Sequence, residues 1–108
     1  MREYTTREID RRVELVDQYE RRCAMYFLQE SDAGHVPLGD VVSHLQKQDP
    51  TLDERDKIEA ALYHNHLPQL ATIDALDFDP RSEMVRYYGD ELVETLLESV
   101  PETYKLGV

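Results

Sequence analysis

The sequence predicts a mostly α-helical domain with one small β-hairpin, an α+β fold of winged helix-turn-helix type, and three observations predict it. Apolar residues recur at helical spacing in three successive segments up to about residue 71. The period then changes to alternation through Leu76, Phe78, Met84, Val85 and Tyr87 around the polar turn Asp79-Pro80-Arg81-Ser82-Glu83. A last amphipathic segment follows from Asp90.

The first helix is expected over about residues 6–30. Thr5-Thr6-Arg7-Glu8 reads as a capping box, in which a hydroxyl and a carboxylate satisfy early backbone N–H groups, and Ile9, Val13, Val16, Cys23 and Phe27 follow as its apolar positions. Ser31-Asp32-Ala33-Gly34 carries helix-stop chemistry, and Val36-Pro37 is an extended connector or a short edge strand. The second helix places Leu38, Val41, Val42 and Leu45 on one face. A polar break from Gln46 to Pro50 precedes a second capping box, Thr51-Leu52-Asp53-Glu54. The third helix then runs over about residues 52–71 with Ile58, Ala61, Leu62 and His66 inward, and Pro68 is expected to kink or loosen its last turns. Asp90 caps the last helix, whose residues Leu92, Val93, Leu96, Leu97 and Val100 share a face until Pro101 stops it; a loose tail is expected from Glu102.

A chain of 108 residues fits one domain: a helical extension over residues 1–20, a winged-helix core over 21–88 and a C-terminal helix over 89–101. Its net charge is −11. Residues 1–22 hold six Arg and six acids, so the whole excess lies beyond them. Only Lys47, Lys57 and Lys105 are lysines, against nine Arg. Such a balance suits a salt-accumulating cytoplasm, where self-repulsion is screened over about 3 Å at 1 M salt, although an acidic protein with a basic partner has the same composition. The lone Cys23 excludes an internal disulfide and reads as a small core residue. No run approaches the roughly 18 apolar residues of a membrane span and the N-terminus lacks a signal-like apolar segment, so a cytoplasmic location is expected.

Arg21-Arg22-Cys23-Ala24-Met25-Tyr26-Phe27-Leu28, Val36-Pro37-Leu38-Gly39-Asp40-Val41 and, most specific, Ala61-Leu62-Tyr63-His64-Asn65-His66-Leu67-Pro68-Gln69-Leu70 are three stretches that resemble a haloarchaeal family of small, mostly uncharacterised winged-helix regulators. The segment His66-Leu67-Pro68-Gln69-Leu70 is also similar, more loosely, to the end of the recognition helix in small bacterial metal- and stress-responsive winged-helix repressors. That resemblance implies Ala60, Ala61, His64 and Asn65 at the DNA major groove. The chain departs from the family pattern at Asp74, where a Gly usually precedes the wing; Asp tolerates the left-handed conformation less easily.

Phosphate contact needs Lys or Arg, and base edges are read by Arg, Asn, Gln and similar side chains. The candidates are Arg55, Lys57, His64, Asn65 and Gln69 on the third helix, with Arg81 and Arg86 on the wing. Against them, Asp53, Glu54, Asp56 and Glu59 make the start of that helix net negative. Arg11, Arg12, Arg21 and Arg22 form either a basic stripe or, more simply, helical ion pairs with nearby acids. His35, His44, His64 and His66 share no metal-ligand spacing, and His66 reads as a packed core histidine with His64 at the surface. No catalytic motif, cofactor or metal site is expected. The reading is a DNA-binding regulator of duplex DNA, dimeric through Leu92, Val93, Leu96 and Leu97, no enzyme and no membrane protein. The alternative is an acidic winged-helix module that binds another protein. The position of the acids separates the two: Asp53, Asp56 and Glu59 on the exposed face of the third helix favour a protein partner, whereas outward-facing Arg55, His64 and Asn65 favour DNA.

Overall fold

In the computed structural model, residues 3–32, 34–49 and 54–100 are described. The second capping box at Thr51, the first turn of the third helix with Asp53, the stop at Pro101 and the tail lie outside them.

The first helical run is two helices, α1 (Thr6–Val16) and α2 (Tyr19–Glu30), where one was expected. The Thr5 capping box starts α1, with both reciprocal bonds at 3.1 Å. The break at Gln18, whose backbone is extended, follows from two arginines of α2. Arg21 donates through Nε to the Leu15 carbonyl (2.7 Å) and through Nη2 to that of Glu14 (3.2 Å), and Arg22 donates through Nη1 to Val16 (2.8 Å). The last carbonyls of a helix lack intrahelical partners, and here two buried guanidinium groups supply them. The corner therefore caps the end of α1 with buried cations. A basic stripe is not formed: Arg21 and Arg22 are buried, and Arg11 makes a local ion pair with Glu14 at 3.2 Å.

The turn also rotates α1 away from its expected packing. Leu15 and Arg12 are its buried residues, while Ile9 and Val13 are 40% and 47% exposed. Arg12 turns inward because Asp90 receives it: Nε and Nη2 of Arg12 lie 3.0–3.1 Å from the Asp90 carboxylate, which also accepts from the Val93 N–H at 3.0 Å and so caps the final helix α6 (Glu91–Glu98). That pairing seats α6 on the Arg12 and Leu15 side of α1.

The core follows the expected residues of α3 (Leu38–Gln48), where Leu38, Val41, Val42 and Leu45 are nearly inaccessible. Facing them, α2 buries Cys23, as expected, together with Ala24, Met25 and Leu28, while the expected Phe27 is only half-buried. Val36–Pro37 forms β1, the edge of a three-stranded antiparallel sheet in the order β1-β3-β2, with Val36 opposite Val85. The hairpin strands are β2 (Leu76–Asp79) and β3 (Met84–Tyr87). Asp79 organises their turn, accepting from the Arg81 N–H (3.0 Å) and the Ser82 hydroxyl (2.9 Å). Those bonds favour its ionised form and hold its carboxyl pKa below the usual value. Asp74 adopts the left-handed conformation (φ 60°) that its position before the wing requires.

The third helix is continuous but changes gauge, as α4 (Arg55–Ala61), a π-turn (Leu62–His66) and α5 (Leu67–Ala71). Ile58 and Leu62 are buried four apart, yet the next buried apolar residue is Leu67, five further on. On a regular α-helix five residues turn Leu67 about 140° off that face. The π-turn absorbs the surplus residue: the Leu67 N–H bonds the Leu62 carbonyl, five back, so Leu67 and Leu70 return to the core. Pro68, without an N–H and unable to sit under the carbonyl four residues before it, suits this site. The expected kink is thus a local widening.

Candidate nucleic-acid interface

Helix three and the wing form one surface because Tyr63 joins them. Its ring meets Phe78 of β2 edge-on, with centroids 5.3 Å apart at 87°, and its hydroxyl reaches the Pro80 carbonyl at 3.4 Å. Between helix and hairpin lies a cleft of about 350 Å³ lined by Asp56, Glu59, Ala60, Tyr63, His64 and Glu83.

Of the residues singled out for DNA, His64 and Asn65 are exposed near the middle of the helix, with His64 edge-on to Tyr63. Arg81 is exposed in the turn of the wing. Arg86 projects from β3 and lies 5.3 Å over the Tyr88 ring, whose hydroxyl bonds Asp77 at 2.6 Å. Asp77 is also the cross-strand neighbour of Arg86. That bond raises the Tyr88 pKa.

Other candidates have partners on the molecule's own surface. Arg55 points along the helix-turn-helix: Nη1 donates to Ser43 Oγ (3.0 Å) and Gln46 Oε1 (3.1 Å), and Nη2 to the Gly39 carbonyl (3.0 Å). One guanidinium thus ties α4 to three points of α3. Lys57 pairs with Glu54 at 3.1 Å on the open surface. Gln69 is half-buried and accepts from Arg11, which also bonds Thr72 Oγ1 at 3.1 Å. His64, Asn65 and Arg81 are therefore the side chains best placed to meet a ligand.

Sequence reasoning did not bring Glu83 and Tyr63 into the site. Glu83 holds φ 56° as the last residue of the wing's turn and meets Asp56 and Glu59 only through the fold. Over residues 54–88 the acids Glu54, Asp56, Glu59, Asp74, Asp77, Asp79 and Glu83 outnumber Arg55, Lys57, Arg81 and Arg86. Two of the three acids set as the discriminating test, Asp56 and Glu59, line this cleft; Asp53 lies outside the described residues.

Of the four dimer candidates, Val93 and Leu97 are 0% and 1% exposed within a single chain, where α6 closes the core against α1. Leu92 and Leu96 are half-buried. Leu96, Val100, Val13 and Val16 border a shallow groove of about 300 Å³ between α1 and α6. Among the described residues no group of three or more metal-ligating side chains converges, and no helix is long and apolar enough to cross a membrane.

A family model described as a domain of unknown function, DUF7344, matches residues 13–86, from within α1 to β3. No curated protein and no solved structure matches the chain.

Proposed function

The chain belongs to the DUF7344 family, which carries no assigned activity, and from its geometry we propose a winged-helix regulator that binds duplex DNA at high ionic strength. The observation that carries this reading is the pairing of exposed His64 and Asn65 on helix three with Arg81 on a wing fixed to the same helix through Tyr63. Asn presents both a donor and an acceptor to a base edge, and an arginine on the wing reaches the backbone or the minor groove.

The carboxylates decide the conditions. Asp56, Glu59 and Glu83 repel phosphate at low salt, where the Debye length is about 30 Å at 0.01 M, and cease to do so beyond about 3 Å at 1 M. Discrimination then rests on short-range contacts from neutral groups such as Asn65. The family resemblance and the low lysine content support a halophilic setting for such binding.

The regulator acts as a dimer. Exposed Ile9 and Val13 on α1, with half-buried Leu92 and Leu96 on α6, are the surface left for a second copy once Val93 and Leu97 are in the core. Asp10 and Glu14 on α1 and Asp17 at its C-cap are exposed, so association strengthens with salt. Selection of fragments of the host genome by the pure protein at molar KCl tests the DNA reading. A shared two-fold motif, lost with Asn65→Ala and Arg81→Ala, supports it, and unselective recovery sinks it.

A second reading, a basic protein partner, is favoured by the same Asp56, Glu59 and Glu83 cleft. Fold alone does not choose between them. Capture of one reproducible basic partner, abolished by Asp56→Asn with Glu59→Gln, distinguishes it.

A further inference from the structure

His66 is the one buried histidine of the described residues, 5% exposed, and it closes the π-turn of helix three. Its Nε2 lies 2.9 Å from Glu20 Oε2 on α2, whereas its Nδ1 is buried with no hydrogen-bond partner among the described residues. The charged groups acting on the ring are Glu20 and Arg21, both from α2, and Arg21 is already held by the Leu15 and Glu14 carbonyls. In the neutral ring, Nε2–H donates to Glu20 and Nδ1 keeps only a bare lone pair. Protonation adds an N–H at Nδ1, a buried donor without an acceptor and beside a second cation.

We propose that His66 is a proton-operated latch between α2 and helix three. Neutral, it ties the π-turn to Glu20; protonated, it leaves its seat for water and frees the π-turn to open, loosening the half of the helix that carries His64 and Asn65.

Burial, more than the opposing pull of Glu20, lowers the His66 pKa from the ordinary histidine value of about 6.5. The opened ring therefore binds a proton at a higher pH than the closed one. Closure is fully favourable above the ordinary value and weakens as pH falls from there towards the depressed one. The latch thus releases on acidification. The latch belongs to the fold's own motion and acts alike for either partner of helix three.

Imidazole nitrogen NMR and amide-exchange protection at residues 62–67, followed from pH 7.5 to 5 on the whole chain at molar KCl, test it. The expected result is titration of His66 below the ordinary range, with protection falling up to about tenfold per pH unit across the window. In His66→Gln, whose amide still donates to Glu20, that local loss is absent. A second variant, Glu20→Gln, removes the charge that opposes the depression and moves the transition to lower pH. An acid response retained in His66→Gln, or a transition unmoved in Glu20→Gln, overturns the proposal.

Discussion

The guanidinium of Arg12 and the carboxylate of Asp90, 78 residues apart, form a buried forked ion pair with side chains 6% and 8% exposed. The pair locks the first helix to the last. Asp90 also caps α6, so one carboxylate fixes both the start of that helix and its place on α1.

Removing Asp90 leaves Arg12 charged, buried and without its carboxylate. Asp90→Ala is expected to cost about 3–5 kcal/mol, measured by urea unfolding at constant salt, because a stranded buried charge adds to the lost cap. Joint replacement of Arg12 by Met and Asp90 by Ser, which keeps a cap and removes the charge, should recover most of that loss. Equal losses in the single and joint variants would refute the ion-pair account.

Arg55 is exposed, so Arg55→Ala should lower global stability by only about 1 kcal/mol. Its three bonds nevertheless fix α4 against α3. Amide-exchange protection in α4 should therefore fall while protection in α2 stays unchanged. Uniform change across both helices would remove Arg55 from this positioning role.

The π-turn makes a sharper structural forecast. Deleting Asn65 brings Leu62 and Leu67 to ordinary four-residue spacing, so the chain should still unfold cooperatively with its core intact. Deleting Gln69, between the buried Leu67 and Leu70, rotates the flanking residues by about 100° and should abolish cooperative melting followed by circular dichroism. The opposite ranking would contradict the surplus-residue explanation.

Cys23 is 2% exposed, and burial pushes its thiol pKa up. It should resist an aromatic disulfide reagent in the native protein and react at once in denaturant. Rapid native labelling would contradict its core position.

Much of the fold was legible in the sequence wherever the signal is local. The Thr5 and Asp90 caps, the buried face of α3 and the Asp79 turn each depend on residues a few positions apart. The corner between α1 and α2 was not, because its apolar pattern runs on across Asp17 and Gln18 and only the inward arginines stop it. The π-turn did leave a trace, the five-residue step from Leu62 to Leu67 beside Pro68, which an expectation of a proline kink obscured. In the candidate site, His64 is exposed and His66 buried as their spacing on the helix suggested, and Asn65 and Arg81 are exposed as well, but Arg55 and Gln69 are taken up by partners on other helices. Glu83 joins Asp56 and Glu59 across a hairpin, a distance that periodicity does not encode.

Affinity for a selected genomic fragment, followed as KCl is raised from millimolar to molar, tests whether helix three and the wing read duplex DNA in concentrated salt. Specific binding is expected to strengthen as the Asp56, Glu59 and Glu83 repulsion is screened, and to be lost in Asn65→Ala and Arg81→Ala variants that remain folded. Absence of specific binding at every salt concentration, or binding indifferent to both substitutions, would contradict the DNA reading.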